Sequence, residues 1–153
     1  MSGLSIAEFA DRISQIMPLI MKDFARRQLK GLYKDKVTLP QFLILEFLHQ
    51  QGQFGMSFLA RFMNVTTAAM TGIADRLVRD GYVRRVFDPK DRRIIKIELT
   101  GRGNELVKNI HAERRKAVMR IFGKISEVDR RDYLRILTQI KEILSKEDRE
   151  ADK

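Results

Sequence analysis

The stretch from Arg76 to Thr100, RLVRDGYVRRVFDPKDRRIIKIELT, decides the fold, because its hydrophobic period changes partway along. Before Gly81 the apolar residues keep helical spacing, with Ala69, Ile73 and Leu77 four apart on one expected core face. After it, Val83–Phe87 and Ile94–Leu99 are rich in β-formers, and Ile95, Ile97 and Leu99 alternate with Lys96 and Glu98. Between these runs lies Asp88-Pro-Lys-Asp-Arg-Arg93, a turn-forming segment loaded with charge. The reading is a helix stopped at Gly81, where glycine suits the C′ position, followed by a β-hairpin with a basic tip.

Working backwards, Thr66 is placed to cap a helix over 67–79, and Asn64-Val65 makes a tight connection to a short helix over 57–63. Leu59, Ala60, Phe62 and Met63 are that helix's candidate core positions. Thr38-Leu-Pro-Gln41 has the form of a capping box, with Pro40 tolerated in the first turn. The helix it opens, Phe42 to about His49, is apolar on most sides and is therefore expected to be central and buried. Gln50–Gly55 is read as a loop. The order is helix, short helix, tight turn, helix, β-hairpin. The hairpin is the one strand signal that the sequence offers.

The flanks are helical. Ile6, Phe9, Ile13, Ile16, Ile20 and Phe24 form one stripe over residues 6–29, with a kink expected at Pro18 and a stop at Gly31. So long a stripe on a terminal helix must be covered by something. Thr100 caps a helix to about Phe122 that carries Leu106, Ile110, Ala117 and Ile121. Ser126-Glu-Val-Asp129 opens a last helix with Leu134, Leu137, Ile140 and Leu144 on one face. The tail from Lys146 to Lys153 is too polar to fold by itself. The fold class is mainly α with one small β-hairpin wing: a winged helix-turn-helix flanked by N- and C-terminal helices.

Charge narrows the function. The 153 residues carry 30 Lys and Arg against 20 Asp and Glu, a net charge of +10. Residues 76–96 hold eight basic and three acidic side chains, and residues 101–124 hold seven and two. Residues 125–153 are close to neutral, so two segments account for the excess. Such a balance favours an anionic partner, nucleic acid or an acidic membrane surface. Absence of cysteine excludes disulfides, thiolate metal sites and thiol redox sensing. No signal peptide and no membrane-spanning run is read, so a cytoplasmic location is expected. His49 and His111 fall on different helices without a nearby carboxylate or second histidine at ligand spacing, so neither metal, cofactor nor enzymatic chemistry is expected. His49 is read as a partner for the C-terminal end of its helix dipole.

The helix over 67–79 presents Thr66, Thr67, Ala68 and Thr71 at its outward N-terminal end. Small side chains there allow close approach to base edges, and Ala or a Thr methyl can touch a thymine methyl. Arg76 and Arg79 suit phosphates that set register. Taken alone, this helix is explained equally well as a capped, solvated surface helix. The hairpin shifts the balance, since it gathers Arg84, Arg85, Lys90, Arg92 and Arg93. A narrow arm tipped with Arg fits a minor groove, where A·T tracts concentrate negative potential. Asp91, two residues before Arg93, is expected to orient that guanidinium.

Residues 38–100 resemble the DNA-binding lobe of the MarR family, the multiple-antibiotic-resistance type regulators. Asp88-Pro-Lys-Asp-Arg-Arg93 followed by Ile97-Glu-Leu-Thr100 resembles the family's wing signature, Thr38-Leu-Pro-Gln-Phe42 the start of its second helix, and Asp75-Arg-Leu-Val-Arg-Asp-Gly81 the end of its recognition helix. The flanking helices match in position and length. The resemblance implies Thr66, Thr67, Ala68 and Thr71 at the major groove, and Arg92 or Arg93 in the minor groove. Residues 4–30 and 104–145 would form a homodimer interface. The implied organisation is a dimerisation helix in 1–37, the DNA-binding lobe in 38–100, dimerisation helices in 101–146 and a polar tail in 147–153. Gly72 departs from the pattern, because many relatives place a basic residue there. The resemblance further implies a pocket for a small, often aromatic or anionic effector, here near Ile16, Met17, Ile20, Phe42 and Leu45. Arg114, Arg115 and Lys116 would suit an anion, but a solvated helix face explains them equally well.

The expectation is a dimeric transcriptional regulator of double-stranded DNA, repressor rather than activator. The competing class is a sequence-tolerant architectural DNA protein, or a winged helix that reads protein or RNA. A membrane role would need a large apolar face opposite the basic residues on a single helix, and the wing's tip was expected to carry little apolar surface.

Overall fold

The computed structural model describes residues 3–34 and 37–151. It contains α1 (Ile6–Lys34), α2 (Leu39–Gln51), β1 (Phe54–Gly55), α3 (Met56–Phe62), α4 (Thr67–Arg79), β2 (Val83–Phe87), β3 (Ile95–Leu99), α5 (Gly101–Phe122) and α6 (Glu127–Ala151). The chain divides into two compact units, residues 1–114 and 115–153, with α5 running across the division.

Local chemistry sets the helix boundaries of the first unit. Ser5 and Glu8 form a capping box at the start of α1, the Ser5 N–H donating to Glu8 Oε2 at 3.0 Å and the Glu8 N–H to Ser5 Oγ at 3.2 Å. Pro18 lies inside α1, and Gly31 does not stop it, since the helix runs on to Lys34. Thr38 and Gln41 close the expected capping box on α2. Thr66 Oγ1 accepts the Ala69 N–H at 3.1 Å, which starts α4 where the sequence placed it.

Two helix ends share one device. Tyr82 N–H donates to the Leu77 carbonyl and Gly81 N–H to that of Val78, with Gly81 at φ 77°, a Schellman closure of α4. The same pair of bonds closes α3, Val65 to Ala60 and Asn64 to Arg61, with Asn64 at φ 51°. Asparagine tolerates that left-handed geometry better than other non-glycine residues. The turn between the two helices of the motif is fixed this way.

The core of this unit joins Phe42, Ile44, Leu45 and Leu48 of α2 to Leu59, Met70, Ala74, Leu77, Val83, Ile97, Leu106, Val107 and Ile110. The buried stripe of α4 is Met70, Ala74 and Leu77 with Ile73 half-buried, not the Ala69, Ile73, Leu77 line; Ala69 is exposed. The larger Met70 fills the space between α4 and the lobe that Ala69 would leave open, and the helix is rotated accordingly. Phe62 is also exposed, while Met63 packs against the core. Phe62 instead lies tilted against the half-buried Phe47, ring centroids 4.2 Å apart.

The sheet has three strands in the order β1-β3-β2. Phe54 and Gly55, expected in a loop, pair antiparallel with Ile97 and Lys96. Two residues are too few to show any period, so this strand exists only through its partner. Val83 to Phe87 pair in register with Leu99 to Ile95. The base of the hairpin is tied to α5: Thr100 N–H donates to the Tyr82 carbonyl at 3.1 Å, and Thr100 Oγ1 to that of Gly81 at 2.6 Å. Thr100 Oγ1 also accepts the Gly103 N–H at 3.1 Å, the expected cap of α5.

In the second unit, Ser126 Oγ accepts the Asp129 N–H at 3.1 Å and opens α6. Arg130 donates to the carbonyls of Phe122 and Ile125, and Phe122 stacks on Tyr133 at 5.5 Å. The helix continues to Ala151, so most of the expected polar tail is helical; its last two residues lie outside the described ones. Leu134, Leu137, Ile140 and Leu144 are exposed on α6, as are Ile6, Phe9, Ile16 and Ile20 on α1.

Candidate nucleic-acid interface

Helix α4 and the β2–β3 hairpin belong to the same unit and are joined directly. Arg85 on β2 forms an ion pair with Asp75 on α4. Asp75 was not singled out from the sequence, and no local pattern marks it; the pairing spans ten residues and depends on how the hairpin folds back. The outward surface of α4 consists of Thr66, Thr67, Ala68, Ala69, Thr71, Gly72, Asp75 and Arg76, all exposed. Thr71 Oγ1 donates to the Thr67 carbonyl at 2.9 Å, which leaves its methyl and its oxygen lone pairs for an external partner. A Cβ built on Gly72 meets nothing within 4 Å, so glycine there answers no packing demand and leaves open backbone on the helix's outer side.

The tip of the hairpin is organised by its two aspartates. Asp88 N–H donates to the Ile94 carbonyl at 3.0 Å, which closes the loop. Asp88 Oδ1 accepts the Lys90 N–H at 2.8 Å, and its Oδ2 pairs with Lys96 Nζ at 2.7 Å. The Lys96 ammonium, and then the Lys90 N–H, hold the Asp88 carboxyl below the usual carboxylate range. Ile94 N–H donates to the Asp91 carbonyl at 3.0 Å, so Asp91 to Ile94 form a β-turn with Arg92 and Arg93 as its two central residues. Asp91 Oδ1 accepts the Arg93 backbone N–H at 2.9 Å. Asp91 therefore orients the main chain at Arg93 and not the guanidinium, which corrects the sequence expectation. A short carboxylate reaches its own turn's N–H groups before it reaches the end of a long side chain.

Because its pKa is lowered on folding, Asp88 contributes stability that is present above its ordinary value of 3.8 and is lost as pH falls through the lower folded value. Asp88→Asn keeps the turn acceptor and removes the ion pair. The variant should melt below wild type at pH 7, with the gap closing as pH falls below the ordinary carboxylate range. A gap that stays constant through that fall, followed by circular dichroism, would count against the staple.

The expected basic residues fall into two groups. Arg84 bonds Glu98 through Nε at 2.7 Å and through Nη2 at 2.6 Å, and Arg85 is taken by Asp75. Arg79 lies 3.4 Å from Asp80. Arg76, Lys90, Arg92 and Arg93 are exposed and have no carboxylate partner among the described residues. The strand arginines thus brace the wing, while the cations on α4 and the turn are left for an external anion. The tip is not free of apolar surface either, since Phe87, Ile94 and Ile95 are exposed.

The expected effector residues are not assembled into an open site. Phe42 and Leu45 have no exposed surface, whereas Ile16, Met17 and Ile20 are exposed on α1. Phe42 is used in the core because α2 is apolar on several sides and lies at the centre of the lobe. The two histidines, distant in sequence, lie 6.0 Å apart between α2 and α5. His111 Nε2 is 2.9 Å from Glu46 Oε1, which also accepts from Arg114 at 3.3 Å, and His49 Nδ1 is 3.0 Å from Asn104 Oδ1. His49 does sit in the last turn of α2, but its polar partner comes from α5. No group of three metal-ligating side chains occurs among the described residues, and no helix of theirs is long and apolar enough to cross a membrane.

Comparison with known proteins places this geometry. Residues 37–95, from just before α2 to the first residue of β3, match the model of the MarR family. The HTH-type transcriptional repressor MdtR of Bacillus subtilis is 31% identical over 99 residues, 65% of this chain and 64% of MdtR. The uncharacterized HTH-type transcriptional regulator YkoM of the same organism is 30% identical over 130 residues, 85% of this chain and 84% of its own length. The chain spans just under two thirds of the first curated relatives that it matches. The crystal structure of YusO from Bacillus subtilis superposes with a TM-score of 0.78 at 25% identity, covering 90% of this chain and 98% of that one. MdtR and YkoM are transcriptional regulators by name, and Arg76, Lys90, Arg92 and Arg93 lie on α4 and the hairpin turn, within the stretch that matches the family model. The chain belongs to the MarR family of winged helix-turn-helix transcriptional regulators.

Proposed function

We propose that the protein is a homodimeric, sequence-specific DNA-binding regulator, a cytoplasmic repressor that acts on a two-fold symmetric operator. The observation that carries this reading is the division of the cations: Arg84 is neutralised by Glu98 and Arg85 by Asp75, while Arg76, Lys90, Arg92 and Arg93 have no carboxylate partner among the described residues. Thr66, Thr67, Ala68 and Thr71 enter the major groove, Arg76 holds phosphate, and Arg92 and Arg93 enter the minor groove. Arg84, Arg85 and Asp91 act indirectly by bracing the wing and its turn.

A second copy covers the apolar faces of α1 and α6. The division into a dimerisation helix in 1–37, a DNA lobe in 38–100 and dimerisation helices beyond 101 follows from that pairing. A small aromatic or anionic effector acts by shifting the dimer helices and thus the spacing of the two recognition helices. It would meet Ile16, Met17 and Ile20 first, and Phe42 and Leu45 only if α2 moves.

The test is selection from a randomised duplex pool at near-physiological salt, with light scattering of the free protein and the complex. Enrichment of one palindrome, its half-sites about one helical turn (~34–36 Å) or a multiple of it apart, and a dimer in both states are expected. Salt-sensitive binding with no enriched sequence would replace this reading with that of an architectural DNA protein.

A further inference from the structure

The wing carries apolar surface that its own fold does not use. Val83, Arg85 and Phe87 share one face of the hairpin with their register partners Leu99, Ile97 and Ile95. That face passes through three environments. At the base, Val83 is buried and its partner Leu99 half-buried, and Ile97, opposite Arg85, is buried in the core as well. In the middle, Arg85 reaches Asp75 on the recognition helix. Two residues further, about 7 Å along the strand, Phe87 is 66% exposed and Ile95 opposite it is 38% exposed. The chain then enters the turn that displays Lys90, Arg92 and Arg93 without carboxylate partners.

We propose that Phe87, with Ile95 opposite it, is an apolar wedge that enters the minor groove of duplex DNA beside Arg92 and Arg93 and opens a base step there. The inference rests on the DNA-binding reading and adds to it a means of selecting sequence. Charge identifies the occupant, because the apolar pair is followed directly along the chain by the turn whose Lys90, Arg92 and Arg93 are exposed and have no carboxylate partner among the described residues. An apolar side chain inserted beside arginines is how proteins unstack a step and bend the duplex towards the major groove. The cost of unstacking is lowest at pyrimidine–purine steps such as TA and CA/TG. The wing then favours such a step without a hydrogen bond to its bases, which offsets the lack of a basic side chain at Gly72.

The experiment uses the full chain and the duplex that it enriches from a randomised pool, end-labelled so that energy transfer reports the bend. Phe87→Thr keeps a strand-forming residue and the net charge. Its affinity should fall between about tenfold and a hundredfold, with an unchanged salt dependence and a straighter duplex. Phe87→Leu should recover most of both. A pyrimidine–purine step should appear in the enriched sequence at the wing position, and replacing it by an A-tract should reproduce the Phe87→Thr loss. Phe87→Thr that binds and bends like wild type, or wild type that leaves its duplex straight, overturns the wedge and leaves the DNA-binding reading standing. A change in oligomeric state on Phe87→Thr overturns it in favour of a protein contact. Failure of the wild type to enrich or hold any duplex overturns both.

Discussion

Arg92→Ala with Arg93→Ala is expected to lower operator affinity by roughly two to four orders of magnitude, from about 1.5–3 kcal/mol for each charge-assisted contact. The two residues are the central pair of the turn, are exposed, and form no ion pair with a described residue, so their removal leaves nothing inside the protein unsatisfied. Asp91 holds the turn through the Arg93 N–H, which alanine retains. The melting temperature should therefore stay close to that of the wild type. The slope of log affinity against log salt should become shallower by about 2, since each phosphate contact contributes about 0.9. Fluorescence anisotropy across a salt series gives both quantities. An unchanged slope with reduced affinity would mean that the arginines act on the fold and not on DNA. Arg84→Ala, by contrast, removes the partner of Glu98 in the wing and should leave the slope nearly unchanged.

Gly103→Ala is expected to be the most destabilising glycine-to-alanine change in the first unit. A Cβ at that position would lie 2.0 Å from the Tyr82 carbonyl oxygen and 3.0 Å from Leu99 Cδ2. The first of these is backbone and cannot rotate away. It is also the oxygen that accepts the Thr100 N–H, so relief of the clash would pull the hairpin base off α5. Overpacking of this kind costs about 3 kcal/mol or more, a fall of roughly 6–12 °C in Tm for a chain of this size. Gly101→Ala is the control, since a Cβ there meets nothing within 4 Å, and its Tm should match or slightly exceed that of the wild type. Calorimetry of the two variants decides the matter: equal melting temperatures would mean that the close approach of α5 to Tyr82 is not rigid. DNA binding should fall with stability in Gly103→Ala, because the wing loses its anchorage.

Much of this was legible beforehand, for reasons that particular residues make plain. Thr38 with Gln41, Thr66, Thr100 and Ser126 each act within three or four residues of their own position, so helix starts were readable from short windows. The Ser5–Glu8 box, which the sequence reading does not include, obeys the same rule. The hairpin was readable because its alternation and its Asp-Pro turn are both local. By contrast, the bracing of Arg85 by Asp75, the joining of His111 to Glu46 and the strand at Phe54 rest on partners 10, 65 and about 43 residues away. No window of sequence holds such pairs together.

The sequence alone determined the order of elements, their caps, the winged helix-turn-helix and the two basic segments, because each depends on the period of apolar residues or on bonds between near neighbours. Only the tertiary structure decided which face of α4 is buried, since Ala69 and Met70 are both admissible until the shape of the lobe selects the bulkier one. It alone separated the arginines that brace the wing from those without a carboxylate partner among the described residues, because an ion pair depends on which carboxylate the folded chain brings within reach. It alone left Phe87 outside, since burial is a property of packed neighbours and not of the residue itself.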